Sequence, residues 1–276
     1  MATRRADHDH GGHAHDSHVH GTHTGTMGGR PKEPKKGRRG VSPTFKGFVE
    51  AHDWKGKTAV DIGCGTGAAT VLVANLGADA LGIDVDAEVL IAASERAKEE
   101  KATSARFMCA DVEMADYADL AGARGGVDGV LAHLCFSEEI AKRAATALKP
   151  GGRFFVRSFE SEMWKESGPA SDFAFTTAEM RKLLAKTGFK VSRLEVERRV
   201  QTFDTFAEFE KSMLWDPHRR ADWEESGRLR RLKASFAKGN HGLTEAFLVV
   251  EAERVASAPR KTGHERPTKR GAGRKR

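Results

Sequence analysis

The segment Thr58-Ala-Val-Asp61-Ile-Gly63-Cys64-Gly65-Thr66-Gly67-Ala68 constrains this chain more than any other stretch. A β-prone run ends in an acid, turns through alternating glycines and enters a small-residue run, Ala68 to Val73, that suits a helix. Glycines at such a turn let the backbone take positive φ and admit a ligand close to the main chain. The helix that follows offers amide groups without intrahelical partners to whatever sits at its start. Gly63, Gly65 and Ala68 also satisfy the G-x-G-x-x-G/A dinucleotide fingerprint, so the turn alone does not choose its ligand.

The segments that follow narrow the choice. Ala80-Leu-Gly-Ile-Asp84-Val85-Asp86 reads as a second strand ending in an acid, at the separation where nucleotide-binding sheets grip a ribose hydroxyl. Ala105 to Val112 reads as a third strand with Asp111 at its carboxyl end, and Gly126 to Leu134 as a fourth that ends near His133. Leu148-Lys-Pro150-Gly151-Gly152 is a turn feeding a fifth. Ala87 to Lys101 and Ser137 to Leu148 read as helices between them, and this alternation predicts an α/β fold with a parallel sheet.

From Phe45 to Val255 the order resembles the class I, seven-stranded S-adenosylmethionine-dependent methyltransferases. The resemblance implies a three-layer α/β/α Rossmann-like domain over 45–255, with a mostly parallel seven-stranded sheet and an antiparallel last strand. It also implies S-adenosyl-L-methionine as cofactor. The turn Gly63, Cys64, Gly65, Thr66 and Gly67 would pass beneath the methionine part, and Asp61 would orient the ammonium, directly or through water. Asp84, with Val85 beside it, would take the two ribose hydroxyls, a task suited to an ionised acid that only accepts. Asp111 and the Val112 amide would read the adenine edge.

A sulfonium methyl is already electrophilic, so such a protein must mainly align the acceptor, exclude water and, where needed, take a proton. His133, at the end of strand four, is the candidate general base; a strand-end histidine equally serves as a pocket wall. The same region excludes specialised relatives. Ala132-His133-Leu134-Cys135-Phe136 replaces the Asp/Asn-Pro-Pro-aromatic motif of amino-methylating nucleic-acid enzymes, and Cys135 lacks the proline common beside a cytosine-C5 nucleophile. Burial should raise its pKa. Glu138 and Glu139 read as acids at a helix start rather than a catalytic pair.

Acceptor specificity is expected after strand five. Ser158 to Phe175 is a loop bearing Met163, Trp164 and Phe173, and Thr176 to Leu184 reads as a capped helix. Phe189 to Thr202 alternates as strand six and Leu243 to Val250 as strand seven. Between them lies an insertion with Phe203, Phe206, Phe209, Met213, Leu214, Trp215 and Trp223, expected to pack largely against the sheet and able to cap an acceptor pocket. Its cluster Arg228, Arg230, Arg231 and Lys233 reads as a solvated helix face near Glu224 and Glu225.

Charge divides the chain. Residues 256–276 carry eight basic side chains against one acid, residues 1–44 eight against four, and the middle is net −4 within a total of +7. Both ends lack apolar periodicity and read as disordered arms. The first holds His8, His10, His13, His15, His18, His20 and His23, able to chelate soft divalent metals weakly but without a second shell; no metal site is expected in the fold. The last could attract phosphates in a salt-dependent way. No apolar run approaches the roughly 20 residues that span a bilayer, the polar start does not read as a secretory signal, and the three cysteines suit a cytoplasmic protein with reduced, mostly buried thiols. The leading expectation is methyl transfer to oxygen or nitrogen of a small molecule. Methylation of RNA or a ribonucleoprotein through the basic tail, and a non-catalytic cofactor- or metal-binding role, are the alternatives; the sequence leaves the oligomeric state open.

Overall fold

The computed structural model describes residues 40–255; the histidine-rich arm up to residue 39 and the basic tail from residue 256 lie outside the described residues. The elements run in the order α1 (Pro43–Glu50), β1 (Thr58–Ile62), α2 (Ala68–Asn75), β2 (Asp79–Asp84), α3 (Ala87–Glu99), β3 (Ala105–Cys109), α4 (Tyr117–Leu120), β4 (Val127–His133), α5 (Glu138–Ala147), β5 (Leu148–Glu160), β6 (Ala174–Phe175), α6 (Thr177–Lys186), β7 (Phe189–Thr202), α7 (Phe206–Met213), α8 (Pro217–Glu225), α9 (Arg228–Ala237) and β8 (Gly242–Arg254).

The main path of the sheet is β3-β2-β1-β4-β5-β8-β7, and the two-residue β6 flanks β5. The strands β1 to β5 are mutually parallel, and β8 runs antiparallel to both β5 and β7. Chain order reverses between β1 and β4, so a crevice opens above their carboxyl ends, the usual place for a ligand in such sheets.

The period of two along a strand separates the layers. Val130 and Ala132 of β4 join one core with Ile140 and Ala144 of α5 and Met180 and Leu184 of α6. Leu131, between them, faces the other core, with Phe45 and Phe48 of α1 and Val71 of α2. Helix boundaries follow local chemistry. Ser42 caps α1 ahead of Pro43, Ser137 caps α5, and Glu138 and Glu139 occupy its first turn as expected. Thr176 and Glu179 form a reciprocal capping box at the start of α6.

Two expectations are corrected here. The aromatics of the insertion do not pack mainly against the sheet: Phe203, Phe209, Trp223, Leu232 and Phe236 form a third core with Leu243, a cap with its own interior. Cys109 is exposed, because its strand lies at the edge of the sheet; of the other free thiols Cys64 is buried and Cys135 partly so. Among the described residues no helix is long and apolar enough to cross a membrane, and no group of three or more His, Cys, Asp or Glu side chains could hold a metal.

Candidate functional site

The turn after β1 has three glycines with positive φ: Gly63 at 60°, Gly65 at 50° and Gly67 at 77°. Their constraints differ. A Cβ on Gly63 would meet the Cys135 side chain at 2.5 Å, and one on Gly67 would press on Ala93 and Phe107 at 3.0 Å. A Cβ on Gly65 would meet nothing within 4 Å, so the crest of the turn faces open space. Thr66 beside it is exposed.

The turn is tied to the end of β2. Cys64 donates its amide to the Ile83 carbonyl at 2.9 Å, and Gly65 donates its amide to Asp84 Oδ2 at 2.9 Å. Asp84 Oδ1 accepts the Asp86 amide at 3.0 Å. Each carboxylate oxygen thus spends one lone pair on backbone, which fixes its plane and leaves further acceptor capacity on a half-buried group. Val85, next in the chain, is 72% exposed. A vicinal diol on Asp84 and a flat base on Val85 fit these groups.

Asp61 sits lower. It is 2% exposed, and its Oδ2 accepts the Thr70 hydroxyl at 2.6 Å. Burial, with the charge of Asp84 adding to it, pushes its pKa up to about 7 despite that hydrogen bond. Asp111 stands exposed after β3 and accepts the Glu113 amide at 2.8 Å, while the Val112 carbonyl takes the Tyr117 hydroxyl at 2.5 Å. The structure therefore brings Asp61, Gly65 and Asp84 together and sets Asp111 and Val112 on the neighbouring loop.

Beside that loop lies a mostly apolar cleft of about 400 Å³, bounded by Val112, Leu134, Cys135, Phe136, Ile140, Phe159 and Phe173. Its polar lining is Glu113, Ser137 and Ser158, and Glu113 accepts the Ser137 hydroxyl at 2.6 Å. Leu134 enters the left-handed region at φ 66°, a conformation that costs a non-glycine residue energy, and its amide donates to the Arg157 carbonyl at 2.8 Å. Burial, followed by the charges of Asp84 and Asp61, pushes the Cys135 thiol up to about 12, so it stays protonated.

His133 lies on the opposite side of the sheet from Ala132, under α1. Its Nε2 accepts the Ser42 amide at 3.4 Å, and the Phe45 ring meets it edge-on at 5.0 Å. Burial, reinforced by the Arg157 charge, depresses its pKa to about 4. A neutral imidazole with so low a pKa is a weak base, and these contacts oppose the base role expected for it.

Sequence reasoning missed Arg157. It lies 3.5 Å over the Phe247 ring and pairs with Glu197 at 2.8 Å, both partners largely covered. The signal was present: one cation in the apolar run Phe154-Phe155-Val156-Arg157. Left-handed Leu134 carried no such signal.

Comparison with known proteins agrees with this geometry. A family model described as a methyltransferase domain matches residues 53–208. A "Ubiquinone biosynthesis O-methyltransferase" of Methylococcus capsulatus is 33% identical over 129 residues, covering 45% of this chain and 52% of the relative. "Phosphoethanolamine N-methyltransferase 2" of Caenorhabditis elegans is 26% identical over 206 residues, covering 71% of this chain and 43% of that protein. The chain thus spans about half the length of the curated relatives it matches. Among solved structures, the YcgJ protein from Bacillus subtilis superposes with a TM-score of 0.59 at 13% identity, covering 78% of this chain and 99% of that one. A methyltransferase-like protein from Bacillus halodurans gives 0.58 at 12% identity, covering 76% and 99%.

Proposed function

Because the chain belongs to the class I S-adenosylmethionine-dependent methyltransferase family, we propose that it transfers the cofactor's methyl group to oxygen or nitrogen of a small, largely apolar molecule. The observation that carries this reading is the Asp84 carboxylate, fixed by the Gly65 and Asp86 amides beside the apolar cleft. The several O-methyltransferases among the matched relatives favour a hydroxyl acceptor.

S-adenosyl-L-methionine, when bound, supplies an electrophilic methyl. In the proposed arrangement Asp84 accepts the ribose hydroxyls, Val85 lies against the adenine, and Asp111 with the Val112 amide reads its edge. The open crest at Gly65 lies beneath the methionine part. Asp61, whose pKa burial raises to about 7, would be held ionised by the ammonium it meets, directly or through water. Leu134, Phe159 and Phe173 exclude water from the acceptor and hold it in line. His133 shapes the wall through Ser42 and Phe45 rather than taking the proton; methyl transfer to a neutral acceptor gives a protonated product, which loses its proton to bulk water once it leaves the cleft.

The test is calorimetric titration of S-adenosylmethionine into the full-length protein, followed by transfer of labelled methyl to a panel of phenols, alcohols and amines. Saturable binding with transfer to one class supports the proposal. Binding with no transfer to any of them removes the small-molecule reading and leaves the cofactor assignment standing.

A further inference from the structure

On the reading that the cleft beside Asp84 receives the methyl acceptor, we propose that Glu113 and Ser158 recognise it, admitting a neutral or cationic molecule that bears a hydroxyl or amine and refusing anions. No Lys, Arg or His lines the cleft, and Glu113 is its one carboxylate. Among the described residues, no cation lies within ion-pair distance of Glu113. Arg143 on α5 is turned onto Glu139 at 3.2 Å and onto the Met114 and Ala115 carbonyls at 3.0 and 3.3 Å.

Glu113 is half-buried, and its direction is set from two sides. Its amide donates to Asp111 Oδ1 at 2.8 Å, and its Oε1 accepts the Ser137 hydroxyl at 2.6 Å. Ser137 in turn accepts the Ile140 amide at 3.2 Å, so the carboxylate is braced against the start of α5. That bond serves the helix cap, yet it occupies only one of about four lone-pair positions on the group. Oε2 makes no hydrogen bond among the described residues and is left for a donor on the ligand.

Ser158 supplies the second, independent observation. It follows Phe154 and Val156 on one face of β5, is 4% exposed and lines the cleft. Its hydroxyl makes no hydrogen bond among the described residues. A buried hydroxyl without a partner costs free energy, and a polar atom of the ligand removes that cost. The other walls are apolar apart from Ser137 and strip water from whatever enters. An anion there would lose its hydration beside Glu113 with no cation to meet it. Asp84 and Asp61 deepen the negative field: after burial, their charges and that of Glu113 all raise the Cys135 thiol on the cleft wall. A hydroxyl or ammonium instead gains a charge-assisted bond to Glu113.

The full-length protein, loaded with S-adenosylhomocysteine so that nothing turns over, is titrated with tyrosol, tyramine and para-hydroxyphenylacetate. These phenols of similar size end in a hydroxyl, an ammonium and a carboxylate. Wild type should bind the first two and hold the third at least about tenfold more weakly. Glu113→Gln keeps an oxygen for the Ser137 hydroxyl, so its melting temperature and S-adenosylhomocysteine affinity should match wild type. It should bind tyrosol about tenfold more weakly and bring the three phenols within about threefold of one another. Ser158→Ala breaks no side-chain bond among the described residues and should weaken tyrosol binding about fivefold. The proposal is overturned if wild type binds none of the three or holds the carboxylate as tightly as tyrosol. It is overturned equally if Glu113→Gln keeps the preference or Ser158→Ala binds tyrosol as wild type does. Transfer from S-adenosylmethionine is then measured. Methyl transfer without the charge preference overturns the proposal and leaves the methyl-transfer reading standing; the preference without transfer does the reverse.

Discussion

The Asp84 carboxylate accepts the Gly65 amide across 2.9 Å, which locks the end of β2 to the crest of the turn after β1. Asp84 therefore shapes the turn before it meets any ligand. Asp84→Ala should weaken S-adenosylmethionine binding by about 2–3 kcal/mol, roughly a hundredfold, because charge-assisted bonds are lost and the turn is released. Calorimetry gives the affinity and circular dichroism the fold. Undiminished affinity with an intact fold refutes the ribose assignment.

Asp61 makes stability depend on pH. Its folded pKa, about 7, lies above the ordinary 3.8, so between these values the folded state keeps a proton that the unfolded state loses. Stability of the cofactor-free protein should fall as pH rises through this window and level off above it. Asp61→Asn keeps an oxygen for the Thr70 hydroxyl and removes the penalty. The variant should melt at the same temperature as wild type near pH 4 and higher at pH 8, with a gain of at most about 4 kcal/mol. A variant less stable at pH 8 contradicts the assignment.

Replacing His133 by asparagine should leave methyl transfer within about threefold of wild type, with the same pH profile between about pH 6 and 8. A true base would cost about a hundredfold or more. The measurement is kcat/KM against pH with an acceptor found by the screen, and a lost limb near neutrality would restore His133 as the base.

Trp223 is 3% exposed and packs against Trp164 and Phe209 within the cap. Trp223→Ala should cost about 3–5 kcal/mol of local stability. Hydrogen exchange should accelerate across residues 203–243, while S-adenosylmethionine affinity should hold. Simultaneous loss of cofactor binding would show that the two regions are not separable.

Much of the fold was legible because its signals are local. The Asp-x-Gly-x-Gly turn, the acids at and just after the ends of β2 and β3 and the Thr176–Glu179 box each act within a few residues, and the observed β7 matches its expected span, Phe189–Thr202. The convergence of Asp61, Gly65 and Asp84 was implied by the resemblance to the methyltransferase family, which the order of these motifs carries. Other features depend on partners distant in sequence. Helical spacing marked Phe209 and Trp223 as buried but could not say against what. The exposure of Cys109 comes from its strand's edge position, which the strand itself does not encode. Pro43–Glu50 as a helix over His133, and Arg157 against Glu197, rest on pairings more than 35 residues apart.

The cap's interior meets the rest of the molecule chiefly at Trp164 and Leu243. Its residues can therefore be repacked together, keeping their own core filled, without disturbing the glycine turn and its acids, much as a tool head is exchanged on a constant handle. Divergence among descendants of this chain should accumulate between Phe203 and Leu243 sooner than at the glycine turn, where Gly63 and Gly67 leave no room for a side chain.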